Sequence, residues 1–206
     1  MIRLYTVLNS SNTERVALAL AHKGLTANEI VVPNEDRSEV RKVSGQDLVP
    51  VLVDGSKIVF DSMEIVRYLE ESYPERPHLY PEDPARRAEC LIFIDWFNRV
   101  WKRPPNEIAD ELRKPPAAVN RERVERLGAA MQGYLDLFEQ MLWGREHLMG
   151  EYGAADMAAF PFLKYAVIPP PGDYLFHRVL KENQEPGQTH PRLVEWIARV
   201  DRRPRA

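Results

Sequence analysis

Apolar and polar positions partly alternate over residues 2 to 7, "IRLYTV", a β-rich run that predicts a strand. The period then changes: over residues 13 to 23, Val16, Ala19 and Leu20 share one helical face, and Lys23-Gly24 closes that helix with a glycine C-cap. "EIVV" at 29 to 32 predicts a second strand ahead of Pro33. "VPVLVDGSKIVF" holds two apolar runs joined around Asp54-Gly55, a strong hairpin signal. "DSMEIVRYLEESYP" places Ile65, Val66, Leu69 and Tyr73 on one helical stripe, opened by Asp61 or Ser62 as cap and stopped by Pro74. The order β-α-β, a variable stretch, then β-β-α suits a small mixed sheet with helices packed on it.

Beyond residue 84 the pattern contains no convincing strand. "PERPHLYPEDP" has the composition of a linker. In "VERLGAAMQGYLDLFEQML", Val124, Leu127, Met131, Tyr134, Leu135, Phe138 and Leu142 form one helical stripe. Further helices are expected at about 85 to 102, 155 to 166 and 191 to 201. Pro104-Pro105, Pro115-Pro116 and Pro169-Pro170-Pro171 are expected to interrupt them, because proline lacks the N–H and clashes with the preceding turn.

Between the first strand and the first helix stands "NSSNT", five small polar residues. Ser, Thr and Asn accept hydrogen bonds from the unpaired N–H groups of a first helical turn, so a plain N-cap accounts for the cluster. A second account is an anion site, since a helix start offers free donors and partial positive charge.

Composition narrows the classes. The 206 residues are 44% hydrophobic and 29% charged, enough for one large or two small globular domains, and the net charge of −3 with scattered Lys and Arg steers no nucleic acid. Arg202, Arg203 and Arg205 form only a short basic tail. The single cysteine, Cys90, excludes an internal disulfide and a Cys-x-x-Cys redox pair, and its place in "ECLIFIDWF" predicts a buried structural thiol. With no signal-like start and no 18-residue apolar run, a cytoplasmic protein that binds no membrane is expected. The five histidines (22, 78, 147, 177 and 190) show no ligand spacing, and no metal is implied.

The element order, with "LVPVLVDG", "FDSMEIVRYLEESYP", the Pro-rich linker and the all-α half, resembles the cytosolic glutathione transferase family over essentially the whole chain. The resemblance implies an α/β plus all-α fold: a thioredoxin-like domain at 1–76 that binds glutathione as co-substrate, a linker at 77–84, and an all-helical domain at 85–206 that supplies most of the second-substrate pocket. "NSSNTERVALALAHKGL" is similar to the active-site loop of the zeta class, and the omega class has a similar Glu-Arg pair, which points to a bacterial, serine-type member. In that register Ser10, five residues before Arg15, falls where the catalytic hydroxyl stands, with Ser11 next because the loop can slip by a residue. Val49-Pro50 matches the family's Val-Pro, where the proline is cis and the preceding backbone pairs with the cysteinyl part of glutathione. Asp61-Ser62 matches the pair that grips the γ-glutamyl group. "SGQDLVPVL" departs from the common Asn-Pro-x-Gly-x-Val-Pro lead-in, and Asp61 is shorter than the usual Glu.

The implied activity is glutathione transfer: Ser10 donates a hydrogen bond to the glutathione thiolate, which attacks a small apolar electrophile. Phe93, Trp96, Phe97 and Trp101 are read as core, with one or two lining an apolar substrate pocket. A homodimer is the family expectation. The competing expectation is a non-catalytic member of the same fold that binds a protein partner, like stringent starvation protein A. A dithiol glutaredoxin-type reductase is the third, and Ser10 and Thr13 in place of cysteines argue against it.

Overall fold

β-branched and aromatic residues build the centre of the first sheet. In the computed structural model, which describes residues 1–206, β1 (Ile2–Thr6) pairs in parallel with β2 (Ala27–Val31) and antiparallel with β3 (Val51–Asp54), which pairs antiparallel with β4 (Lys57–Phe60). The order is β2-β1-β3-β4. β1 and β3 are central and covered on both faces, and the three apolar residues of β3, Val51, Leu52 and Val53, are all buried. Successive side chains alternate faces. Tyr5, Val51 and Val53 accordingly pack with Val40 of the short helix α2 (Ser38–Ser44) on one side. Leu4 and Leu52, opposite each other in the register, point to the other side.

The expected helices are α1 (Ser11–His22) and α3 (Ser62–Ser72), which pack against each other and bury Val16, Leu20, Ile65, Val66 and Leu69 completely. Each such side chain contributes about 1.5–3 kcal/mol. The turn of the β3–β4 hairpin is Gly55-Ser56 and not Asp54-Gly55, because Asp54 pairs with Lys57 in the ladder. Gly55, at φ 59°, takes the first central position, where a two-residue hairpin turn favours glycine. Asp54 is thereby left to accept from the Tyr68 hydroxyl at 3.1 Å and from that of Tyr73, tying the hairpin to α3.

The chain divides into two units, Met1–Asp83 with Arg203–Ala206, and Pro84–Arg202. The second unit is helical: α4 (Pro84–Trp96), a π turn (Phe97–Trp101), α5 (Arg103–Leu112), α6 (Arg121–Met141), α7 (Ala154–Leu163), α8 (Leu175–Glu182) and α9 (Pro191–Asp201). The helical run expected over 85 to 102 ends with the π turn at Trp101, and Pro104 and Pro105 stand just past that break, in the first turn of α5. Their missing N–H groups fall among the donors that any helix start leaves unpaired. The chain reaches them through the π turn, in which the Lys102 N–H donates to the Phe97 carbonyl at 2.9 Å.

Phe97 and Trp101 stack at 4.4 Å and meet Phe138 edge-on, with both rings fully buried. These aromatics are core, and among the four named above only Trp96 is partly exposed. Two carboxylates hold helix starts, one from within its own helix and one from a neighbouring helix. Asp156 accepts from the Gly153 N–H at 3.2 Å, the Leu148 N–H at 3.1 Å and the Trp196 indole at 2.6 Å. Glu139 of α6 accepts from the Leu193 N–H at 2.9 Å and the Arg192 guanidinium at 2.7 Å, filling the cap that His190 leaves empty at the start of α9. No helix is long and apolar enough to cross a membrane.

Candidate active site

Every residue nominated for catalysis or glutathione binding lies in the first unit, in loops and at helix starts beside its sheet. Asn9 takes a left-handed φ of 59°, a conformation asparagine tolerates better than most residues, and turns the chain from β1 into α1. Ser10 then occupies the N-cap, in extended conformation, and its Oγ accepts from the Thr13 N–H at 3.2 Å. The oxygen is thus engaged as an acceptor while its proton remains available to donate. Ser11 is the first helical residue; its side chain is buried and its Oγ has no hydrogen-bond partner. Behind the cap, the Thr6 and Thr13 hydroxyls meet at 2.6 Å, so the first turn of α1 is fixed to the end of β1 through a buried bond.

The Val49–Pro50 bond is cis, and Pro50 is buried immediately before β3. Asp61 caps α3: its Oδ1 accepts from the Met63 N–H at 2.9 Å and the Glu64 N–H at 3.2 Å. It does so at φ 67°, a strained position for a residue with a Cβ. Strain of that kind costs about 1–3 kcal/mol and concentrates at functional sites. Ser62, the first residue of α3, is 3% exposed.

One residue of this site was not singled out as a candidate. The Arg15 side chain is 1% exposed, and its Nη1 donates to the Ser62 hydroxyl at 3.2 Å. Burial brings the guanidinium down to about 9, against the pull of the neighbouring Asp61 charge. The residue still carries its charge at neutral pH. Arg15 therefore ties the helix that Ser10 caps to the helix that Asp61 caps. A signal existed in the sequence: Arg15 lies one turn before Ala19, on the edge of the apolar stripe.

Cys90 lies outside this site, in the second unit. Burial and the Asp156 charge push its thiol up to about 12, so it forms no thiolate near neutral pH.

The family model described as "Glutathione S-transferase, N-terminal domain" matches residues 4–77. Glutathione S-transferase Z1 of Arabidopsis thaliana is 41% identical over 91 residues, which span 42% of this chain and 41% of that protein, so the match covers less than half of its length. Glutathione S-transferase F10 of the same species is 30% identical over 183 residues, 82% of each chain. Among solved structures, a glutathione S-transferase from Rhodospirillum rubrum F11 is 27% identical with a TM-score of 0.78, covering 99% of this chain and 89% of that one. With its first unit matched by the family model and a relative aligned along 82% of both chains, the chain belongs to the glutathione S-transferase family.

Proposed function

We propose that the protein is a serine-type glutathione transferase in which Ser10 donates a hydrogen bond to the glutathione thiolate. The observation that carries this reading is the Ser10 hydroxyl itself: its oxygen accepts from the Thr13 N–H at the start of α1, and its proton is left to donate. A free thiol has a pKa near 8.5 and is only a few per cent thiolate at neutral pH. A hydrogen bond to a charged acceptor is worth about 1.5–3 kcal/mol and a pKa unit about 1.4, so one such donor lowers the thiol by roughly one to two units. The positive end of α1 adds to the effect. Ser11 is the weaker nominee, because its hydroxyl is enclosed by protein.

In this reading Val49 and Pro50 present backbone to the cysteinyl part of glutathione, and Asp61 and Ser62 hold its γ-glutamyl end at the start of α3. The thiolate sulfur then forms a bond to the electrophilic carbon of a small apolar substrate and a halide or similar group leaves with its electron pair. The thiol proton has already passed to solvent. Leu8, 64% exposed two residues before Ser10, supplies apolar surface beside the sulfur. The relatives described above carry the transferase name, which favours catalysis over the partner-binding alternative.

The same reading includes a two-fold homodimer. Each unit exposes apolar side chains of the kind an interface covers: Ile58 and Phe60 on the edge strand β4, and Leu91 and Ile92 on α4. Light scattering at micromolar protein should give twice the chain mass, and a monomer mass overturns that part.

The test of the catalytic part is Ser10→Ala, with Ser11→Ala in parallel. The first should raise the bound thiol's pKa by about one unit or more with glutathione affinity nearly unchanged, and turnover of an aryl halide should fall at neutral pH and recover partly as pH rises. A calorimetric titration without heat at millimolar glutathione, or a thiol titration that neither variant moves, would overturn it.

A further inference from the structure

The end of the chain returns to the helix that Ser10 caps. Arg205 reaches Glu14 with its Nη2 at 2.9 Å and its Nε at 3.3 Å from the same carboxylate oxygen, while its Nη1 donates to the Arg203 carbonyl at 2.7 Å. The Ala206 N–H donates to the Ala17 carbonyl at 3.2 Å. Glu14 is one turn beyond the cap, since its N–H donates to the Ser10 carbonyl at 3.0 Å. Neither partner of the ion pair is freely solvated: the Glu14 side chain is 15% exposed and that of Arg205 28%.

A carboxylate in a first helical turn stabilises the helix, but it also subtracts from the positive field that the helix end offers a bound anion. Nearby, Arg15 and Asp61 act on each other. Glu14 is then a charge that opposes an anion at Ser10, and Arg205 is a charge paired with it. We propose that Arg205 is a positioning residue for the thiolate site, acting through Glu14: it neutralises that carboxylate and holds the first turn of α1, so the helix start keeps its pull on the bound sulfur. The proposal rests on the reading that Ser10 holds the glutathione thiolate. It assigns a role in that chemistry to a tail that composition alone marks as solvated.

A change of one charge roughly 10 Å away, at an effective dielectric between that of a protein surface and that of water, moves a thiol by about half a pKa unit. Below the pKa that is about a threefold loss of thiolate at fixed pH. The experiment is a titration of the bound thiol by its ultraviolet absorbance, on the full chain loaded with glutathione. Arg205→Gln should raise the thiol pKa by about half a unit, Glu14→Gln should lower it by a similar amount, and the double variant should return close to the wild type. Arg205→Lys, which keeps the charge, should restore most of the wild-type titration. The Arg205→Gln shift should shrink with added salt. Should Arg205→Gln fail to fold, the Glu14→Gln shift alone decides. Coincident titrations of Arg205→Gln, Glu14→Gln and wild type, in a protein whose Ser10→Ala variant does shift, overturn the role of Arg205. If Ser10→Ala leaves the titration unmoved, the thiolate reading itself has failed and the inference falls with it.

Discussion

The buried guanidinium of Arg15 donates to the hydroxyl of Ser62 at 3.2 Å, joining the first turn of α1 to the first residue of α3. A contact between residues 47 positions apart in sequence thereby holds the two helix starts in one arrangement. In the proposed site these two starts hold neighbouring parts of one tripeptide, the cysteinyl thiol at Ser10 and the γ-glutamyl end at Ser62. A rigid tie between them serves binding more than a flexible one would, because each immobilised group otherwise costs entropy at the moment of binding. The tie is bought with a charge sealed from water, and that burial is what brings Arg15 down to about 9.

Replacing Arg15 should therefore lower both stability and glutathione affinity. Arg15→Ala leaves a cavity and removes the donor to Ser62, with an expected loss of about 2–5 kcal/mol in urea unfolding. Arg15→Lys keeps the charge but loses the planar fork, and it should recover only part of either quantity. Calorimetric affinity that stays at the wild-type value in the lysine variant would show that the tie is purely structural.

Asp156 gives a sharper stability prediction, because three buried or half-buried donors converge on its two oxygens. Asp156→Ala strands the Leu148 N–H, the Gly153 N–H and the Trp196 indole, and should cost at least about 3 kcal/mol. Asp156→Asn keeps one acceptor oxygen for Leu148 and Trp196 but turns an amide N–H₂ toward Gly153. Its cost should fall near 1–2 kcal/mol, read from denaturation midpoints. Equal losses in the two variants would mean that charge, and not acceptor geometry, is what the site requires.

The sheet and its flanking helices were legible because period and punctuation agree there: "VPVLVDGSKIVF" carries its own turn residues and "DSMEIVRYLEESYP" its own cap and stop. α2 escaped notice because it is short and buries little more than Val40, too few apolar positions to set a period. The hairpin turn was misplaced by one residue because Asp-Gly suits the turn centre, while Asp54 is drawn into the ladder and held by two tyrosine hydroxyls from α3. In the helical half, Pro104-Pro105 mark the break after Trp101 that the sequence suggests, while standing in the first turn of the next helix, where proline is tolerated.

The candidate site divides in the same way. Ser10, Asp61 and Ser62 stand at helix starts that cap chemistry makes visible in a sequence. Arg15 is marked only by its place on the edge of the apolar stripe, and a long cationic side chain next to Glu14 reads as solvated surface until the fold closes over it. The Arg205–Glu14 pair spans 191 positions, a separation at which no local pattern speaks.

The last prediction concerns acid. Lys23 and Glu70 form a buried ion pair, with Nζ 3.0 Å from Oε2 and side chains 0% and 6% exposed. Burial works to raise the Glu70 carboxyl, but the Leu79 N–H, donating at 2.9 Å, and the Lys23 ammonium outweigh it and hold the carboxyl below its ordinary value. A carboxylate depressed in the folded state binds fewer protons there than in the unfolded chain, so its contribution is present above the unfolded pKa of about 4.3 and is lost as pH falls through the lower folded value. Unfolding free energy should thus decline on acidification below about pH 4, and Glu70→Gln should flatten that decline. At neutral pH the same variant should be strongly destabilised, by about 3–5 kcal/mol, because it leaves the Lys23 charge buried beside a neutral amide. Removing both charges separates the two effects: Lys23→Met with Glu70→Leu fills the space with apolar side chains, and although the Leu79 N–H and the Tyr73 carbonyl lose their partners, the double variant should be more stable than Glu70→Gln alone. Urea titrations at a series of pH values measure all three proteins, and an acid limb as steep in Glu70→Gln as in wild type would assign the acid sensitivity to other carboxylates.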